Sequence, residues 1–445
     1  MIADQGAFDE STLARLRDVD PIVQRYRAFF AVLDWSQVPE RDPHRAWPGS
    51  PPHPQATYVK ALLVKLCEEK PSVTHLRRYL VEHPLLVLEL GFRPLKDPSQ
   101  PYGFAVEQTV PCDRWLRETQ RRLPNTILQG LLRETVHALQ AEIADLGETV
   151  AFDVKHIFAW VKENNPKAYV DARFDPKRQP KGDPDCRLGV KRSSNQTQPD
   201  GTTKERAEYV WGYGSGVAAA THPRYGDIAL AEWTQPFNET DTTYFHPLYQ
   251  RVVATLGQRP KNITADAAFD DWDIYQTCAD TGGLAAIPLN QRGHPEPKRL
   301  ADGTPCCERG LAMVPTGSFL HTRGYQSQTF RCPLLVPVPT GETCSHPQFA
   351  KGPGCYKYPN MEGGGLMRVL LDRQSDEYKA IYRQRTSDER INSQAKALGI
   401  ERPMVRNAQS VANLNTLTYV VINVRALRRV RTINAMPTAP PISLC

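Results

Sequence analysis

The segment AIYRQRTSDERINSQAKAL, residues 380–398, reads as part of one continuous helix, Asp376–Leu398, with two unlike faces. At about 100° per residue, Tyr382, Arg385, Glu389 and Lys396 fall within a band about 60° wide. Ala380, Ile391, Ala395 and Leu398 lie on the opposite side, which is apolar and can seat against a core. Such a helix, anchored by one face, could grip phosphates around a metal ion with the other. A solvated amphipathic helix would also carry mixed charges, so residues elsewhere must decide.

Two aspartates do so. Asp153 closes the run Thr149-Val150-Ala151-Phe152, which Gly147 introduces, and Asp266 closes Asn262-Ile263-Thr264-Ala265. Both runs are expected as short buried strands, and ligands in α/β sheets gather where strands end. Two aspartates and a helical glutamate are hard oxygen donors, suited to Mg²⁺ or Mn²⁺ rather than Zn²⁺. Two such ions about 4 Å apart can activate water or a 3′-hydroxyl and stabilise the leaving oxygen in phosphoryl transfer. One aspartate after a strand is more often a turn or cap residue. The weight comes from three acids together with the Tyr/Arg/Lys stripe.

On these residues the chain resembles the DDE transposases of bacterial insertion sequences, in the subgroup marked by Tyr-x2-Arg-x3-Glu-x6-Lys. Tyr382, Arg385, Glu389 and Lys396 match that signature in full, Asp153 in Ala-Phe-Asp-Val-Lys matches the first aspartate, and Asp266 in Thr-Ala-Asp-Ala-Ala-Phe-Asp matches the second. The likeness runs from about residue 55 to about 430. It implies an α/β fold: a ribonuclease-H-like catalytic core, a helical N-terminal domain that helps bind transposon ends, and an inserted, mostly β subdomain before the catalytic helix. It further implies Mg²⁺-dependent cleavage at element ends and strand transfer into target DNA, with Asp153, Asp266 and Glu389 holding two Mg²⁺ or Mn²⁺ ions. Arg385 and Lys396 would contact phosphates near the cleaved end, and Tyr382 would help position that strand. The implied partner is double-stranded DNA, bound by at least a homodimer. Two rivals stand beside this reading: a Mg²⁺-dependent nuclease without strand transfer, and a non-catalytic DNA-binding relic.

Composition bounds these readings. The 445 residues can form two or three domains with a sizeable core. With 40% hydrophobic and 23% charged residues the chain has the balance of a soluble globular protein, and its net charge of +6 is mildly basic. The basic residues concentrate in two stretches. One holds Arg173, Lys177, Arg178, Lys181, Arg187, Lys191 and Arg192; the other runs from Arg402 to Arg431 with only Glu401 at its border. Such runs are usually solvated faces, but beside a phosphoryl-transfer site they suit DNA, whose affinity comes largely from phosphate neutralisation. The acidic start, Met1–Asp20, has no apolar signal-peptide core, and no run of about 18 apolar residues follows, so a cytoplasmic protein without membrane contact is expected. Its ten cysteines should then be reduced thiols.

Along the chain, residues 1–52 are expected as a polar lead-in ending at Pro48-Gly49-Ser50-Pro51-Pro52, and 53–145 as the helical N-terminal domain. Residues 146–289 and 366–432 would form the catalytic core, 290–365 the β-rich insertion, and 433–445, with Pro437–Pro441, a flexible tail. Within the core, Glu208–Tyr213 and Asp227–Glu232 read as strands, Tyr244–Leu256 and Asp271–Ala279 as helices, and Asn164–Lys204 as a long surface loop. This β-β-β-α-β-α order resembles the ribonuclease-H-like core. Gly363-Gly364-Gly365 is expected as a turn before a strand at Met367–Leu371.

Some constellations carry less. Cys306, Cys307, Cys332, Cys344, Cys355 and His346 could form a zinc site in a subdomain with a thin core. Yet no Cys-x2-Cys pair is present there, and buried free thiols are common. His156 is expected as a structural histidine, and Trp272 as a core residue rather than a stacking platform for an extruded base. The chain has no P-loop, dinucleotide fingerprint or nucleophile elbow.

Overall fold

A computed structural model describes residues 8–40, 52–197, 203–290 and 298–436, apart from the side chains of 192–206. In chain order come α1 (Glu10–Val19), α2 (Pro21–Phe30), α3 (Gln55–Cys67), α4 (Val73–Glu82), α5 (Pro84–Leu90), α6 (Val106–Thr109), α7 (Asp113–Arg122) and α8 (Asn125–Gln140). Strands β1 (Thr149–Phe158), β2 (Arg187–Thr197), β3 (Thr203–His222) and β4 (Gly226–Pro236) lead to α9 (Thr242–Leu256), β5 (Asn262–Ala265), α10 (Trp272–Ala279) and β6 (Ala285–Ala286). There follow β7 (Val314–Leu320), β8 (Gln326–Arg331), α11 (Pro347–Ala350), β9 (Tyr356–Lys357), α12 (Gly363–Leu370), α13 (Asp376–Arg383), α14 (Thr386–Ala397) and α15 (Ala408–Ala435). The chain is thus mixed α/β, with a helical N-terminal region. No helix among the described residues is long and apolar enough to cross a membrane. The chain divides into two compact units: Met1–Gly147, Asp153–Gln258 and Thr386–Cys445 in the first, Glu148–Phe152 and Arg259–Arg385 in the second.

The first unit is organised around α15. From Val411 to Val424 all but Ala412 are buried, including Asn413, Asn415, Thr416, Thr418 and Asn423. A helix covered all round needs partners for its polar groups as well as for its methyls. Asn413 donates to the carbonyls of Gln120 (2.9 Å) and Leu123 (2.8 Å), at the C-terminal end of α7, while Asn423 donates to Ala229 O (2.8 Å) and accepts from Ala229 N–H (3.0 Å) on β4. Thr416 donates to the fully buried Glu232 carboxylate at 2.8 Å, which also accepts from Gln129 of α8 at 2.9 Å. The helical N-terminal block therefore shares one core with the strands instead of standing apart as a separate domain.

Residues 8–40, expected within a polar lead-in, instead form α1 and α2 and a short 3-10 turn. Asp20 caps α2 by accepting from Ile22 and Val23 N–H, Pro21 fits its first turn, and Val23, Tyr26, Phe29 and Phe30 are buried. Charged residues between those apolar ones hide the pattern. The Pro48–Pro51 stretch and Pro437–Pro441 lie outside the described residues, and α15 continues to Ala435, into the expected tail.

In the sheet of the first unit β3 is long enough to pair twice, antiparallel with β2 through its first half and with β4 through its second. The segment from Val161 to Cys186, which from Asn164 onward was expected within a long surface loop, is tied down. Asp183 is fully buried and accepts hydrogen bonds from Tyr213 Oη–H (2.7 Å), the N–H groups of Asp185 (3.2 Å) and Cys186 (3.3 Å), and Asn407 N–H (3.1 Å) just before α15. Asp185 accepts from Ala408 N–H at 3.0 Å, so two carboxylates face the positive end of α15. Asn164 and Trp211 close the other side through Asn164 Nδ2 to Trp211 O (2.7 Å) and Trp211 Nε1 to Arg173 O (2.7 Å).

In the second unit the opening residues of β1 run parallel with β5, from Thr149 beside Asn262 to Phe152 beside Ala265, and β5 runs parallel with β6. The region after β6 carries a small antiparallel sheet, β7-β8-β9. The Gly363–Gly365 run opens helix α12, where a turn and strand were expected. A Cβ on Gly364 would stand 2.2 Å from Trp272 O and Gln276 N, so the glycines permit a close approach to α10 that any side chain would block. Arg368 then forks onto the buried Asp270 carboxylate at 2.6 and 2.5 Å.

Because Asp183 joins β3, the 161–186 segment and the start of α15, Asp183→Ala should lower the unfolding free energy by about 3 kcal/mol in urea titration. A loss under about 1 kcal/mol would show that these bonds do not anchor the segment.

Candidate active site

Asp153 sits in the middle of β1, five residues before its end, and not at a strand terminus as expected. The alternation of polar residues in Asp153-Val154-Lys155-His156 made the strand look finished. The carboxylate is half-buried, and its Oδ2 accepts from Asn392 Nδ2 at 2.8 Å. Asn392 lies on α14, one turn after Glu389. Ile391 and Ala395 of the same helix are fully buried, and Arg390 forks onto the Asp227 carboxylate of β4 at 2.6 and 2.7 Å. That fork and the apolar face fix the helix, leaving Glu389 exposed.

Asp153, Glu389, Asn392 and Lys396 line one pocket of about 440 Å³, with Lys155, His156, Lys191 and Glu401 among the other walls. Asn392 is 7% exposed, and its Oδ1 has no hydrogen-bond partner among the described residues. Three carboxylates and three lysines face this space. Lys155 Nζ stands 2.5 Å and Lys396 Nζ 3.4 Å from Glu401. Burial pushes the Glu401 carboxyl up, but the hydrogen bond and charge of Lys155, followed by Lys396, hold it below its usual range. His156 packs against Phe237, with ring centres 4.3 Å apart and the rings tilted by 50°. Burial first, then the charges of Lys191 and Lys155, push it down to about 4, so it is neutral at pH 7.

The remaining expected residues belong to the second unit. Asp266 follows β5 directly, as expected, and its side chain accepts from Ala268 N–H at 2.8 Å, capping a short 3-10 turn. Tyr382 stacks on Tyr378 with ring centres 5.7 Å apart, and the Arg385 guanidinium lies 5.7 Å from the Tyr382 ring. The continuous helix expected over Asp376–Leu398 is broken. α13 tightens into i→i−3 bonds, Gln384 N–H to Ile381 O and Arg385 N–H to Tyr382 O, and α14 restarts at Thr386. Thr386, Ser387 and Asp388 are residues that favour a helix start over its interior. Tyr382 is therefore carried by α13, Arg385 by the turn that follows it, and Glu389 and Lys396 by α14.

The chain matches no protein-family model and no curated protein. Among the described residues, no group of three or more His, Cys, Asp and Glu side chains is gathered closely enough to hold a metal ion, in the cysteine-bearing insertion or elsewhere. Nine described cysteines are free thiols; Cys306, Cys307 and Cys332 are buried. Trp272 meets Tyr325 edge-on at 5.1 Å and is half-buried. Sequence reasoning passed over Asn392, Arg390 and Glu401. Asn392 was within reach, since position i+3 from Glu389 shares its helical side. Glu401 and the Arg390–Asp227 fork depend on pairing that only the fold creates.

Because His156 titrates near 4 when folded and near 6.5 when unfolded, the unfolded chain binds the extra proton between those values. Stability should fall as pH drops through that window. His156→Phe should remove at most about 3 kcal/mol of the fall, read by urea titration from pH 7.5 to 4.5. An identical pH slope in the variant would refute the buried neutral state.

Proposed function

We propose that this chain is a DDE-type DNA transposase, cleaving insertion-sequence ends and joining them to target DNA. The observation that carries the reading is that Asp153 and Glu389, far apart in sequence, line one pocket with Lys396. The ribonuclease-H-like core belongs to the same proposal. Supporting it are the antiparallel β3–β4 pair, α9 leading from β4 into β5, and the parallel β1–β5 and β5–β6 pairs. The last registered pair of β1 and β5 is Phe152 with Ala265, and Asp153 and Asp266 are the residues that follow them.

The donor set fits divalent ions with hard oxygen ligands. Asp153 and Glu389 supply carboxylates, and the buried Asn392 Oδ1, without a hydrogen-bond partner among the described residues, is a neutral oxygen at the same wall. Asp266, which belongs to the second unit, would supply the third carboxylate in this reading. Bound Mg²⁺ would polarise the phosphodiester and lower the barrier to attack by water or a 3′-hydroxyl. The chain's own groups do the rest. Asn392 holds Asp153 Oδ2 and so sets the angle of that carboxylate. Lys396 and Lys155 balance Glu401 and bring positive charge toward a phosphate, while neutral His156 adds none. In the second unit Tyr382, stacked on Tyr378, and Arg385 would position the strand by an aromatic face and a forked cation.

Asp153→Asn, Asp266→Asn and Glu389→Gln should each cut Mg²⁺-dependent nicking of a plasmid bearing the gene's flanking DNA by at least about a thousandfold, with DNA binding retained. Nicking preserved in one variant removes that residue from the mechanism. Joining of precut ends to a target plasmid separates a transposase from a nuclease; cutting without joining would favour the latter.

A further inference from the structure

Two basic stretches more than 200 residues apart in the chain meet on the first unit. A pocket of about 810 Å³ is lined by Lys162, Lys177 and Lys181 of the 161–186 segment and by Arg406, which precedes α15. The three lysines and Arg406 are exposed, and none has a carboxylate partner among the described residues. The acids nearby are already committed or buried. Asp171 pairs with Arg178 at 2.9 Å, and Glu163 is 8% exposed. Arg173, on the same wall, donates to the carbonyls of Asn165 and Ala168 and is structural.

The cations also have an aromatic backing that leads away from the candidate active site. Arg402 lies 4.1 Å over Phe158, a residue lining the pocket with Asp153 and Glu389. Two residues further along the strand's exit, Arg406 lies 4.8 Å over Trp160 and donates to its carbonyl at 3.3 Å. Trp160 remains 43% exposed. A second pocket on the far side of the Trp160–Arg406 wall is lined by Arg114, Arg117 and Arg121 of α7.

Gathering like charges costs stability through mutual repulsion. A trailing loop could relieve that cost by spreading into solvent. This segment cannot, because the buried Asp183 and the Asn164–Trp211 bonds hold it against β3 and α15. We infer that this anchored surface, from Arg402 past Trp160–Arg406 to Lys177 and Lys181, binds the sugar–phosphate backbone of duplex DNA flanking the cut position. The inference rests on the transposase reading and extends it to a surface outside the catalytic pocket. Several exposed cations without carboxylate partners among the described residues, gathered on one anchored surface, suit a polyanion, whose phosphates they would neutralise.

The test is fluorescence anisotropy with the full chain and a labelled 30-base-pair duplex in EDTA, across a salt series. Replacing both Lys177 and Lys181 by Gln should weaken binding about tenfold or more at 0.1 M salt and flatten the slope of log affinity against log salt by about 1.8, two phosphates' worth. Both side chains are exposed, so thermal melting should stay unchanged. If the wild type binds the duplex and the variant keeps its slope, the surface assignment is wrong while the transposase reading stands. If the wild type binds no duplex at all, both fall.

Discussion

The stretch of α15 from Val411 to Val424, which has no wet side, imposes the strictest condition in this protein. α15 can exist only where every neighbour supplies both apolar surface and hydrogen-bond partners, because an unmatched buried amide costs on the order of 1–3 kcal/mol. Asn413, Thr416 and Asn423 meet that condition with groups from α7, α8 and β4. This is why the N-terminal helices are built into the same core as the strands. Apolar contacts alone would let those elements slide; a fixed set of polar partners allows one arrangement.

The candidate active site draws its geometry from that frame. β4 carries Asp227, whose fork to Arg390 sets α14, and α14 carries Glu389 and the amide that holds Asp153. The pocket's charges nearly cancel before any ligand arrives, since Lys155 and Lys396 flank Glu401. In the proposed reading that balance matters. Adding divalent ions would turn the pocket positive, the sign a phosphodiester needs, without burying unmatched charge in their absence.

Much of the fold was legible in the sequence. The strands within β3 and β4, the helices α9 and α10 and the helical blocks of the N-terminal region follow from apolar periodicity and turn residues. Errors cluster where a distant contact overrides a local pattern. Gly363–Gly365 looks like a turn until α10 explains why only glycine fits there. The break between α13 and α14 has no glycine or proline to announce it. Residues 161–186 look like a loose loop because Asp183, the residue that fixes them, finds its partners at Tyr213 and Asn407. For the site, Asp153, Glu389 and Lys396 line one pocket while Asp266, Tyr382 and Arg385 belong to the second unit, and the group that orients Asp153 did not stand out in the sequence. An acid is conspicuous in a sequence; an amide that aims it is ordinary.

The order in which a ribosome delivers these segments adds one consequence. The partners of Asn413, Thr416 and Asn423 on α7, α8 and β4 are synthesised long before α15 emerges. Until then the buried Glu232 carboxylate and the apolar faces of α3 and α8 lack their cover, so the nascent chain must carry them exposed until α15 arrives. Closure of this unit is thus expected only once α15 has been made, and a premature stop ahead of α15 should yield an aggregating fragment in place of a folded N-terminal half.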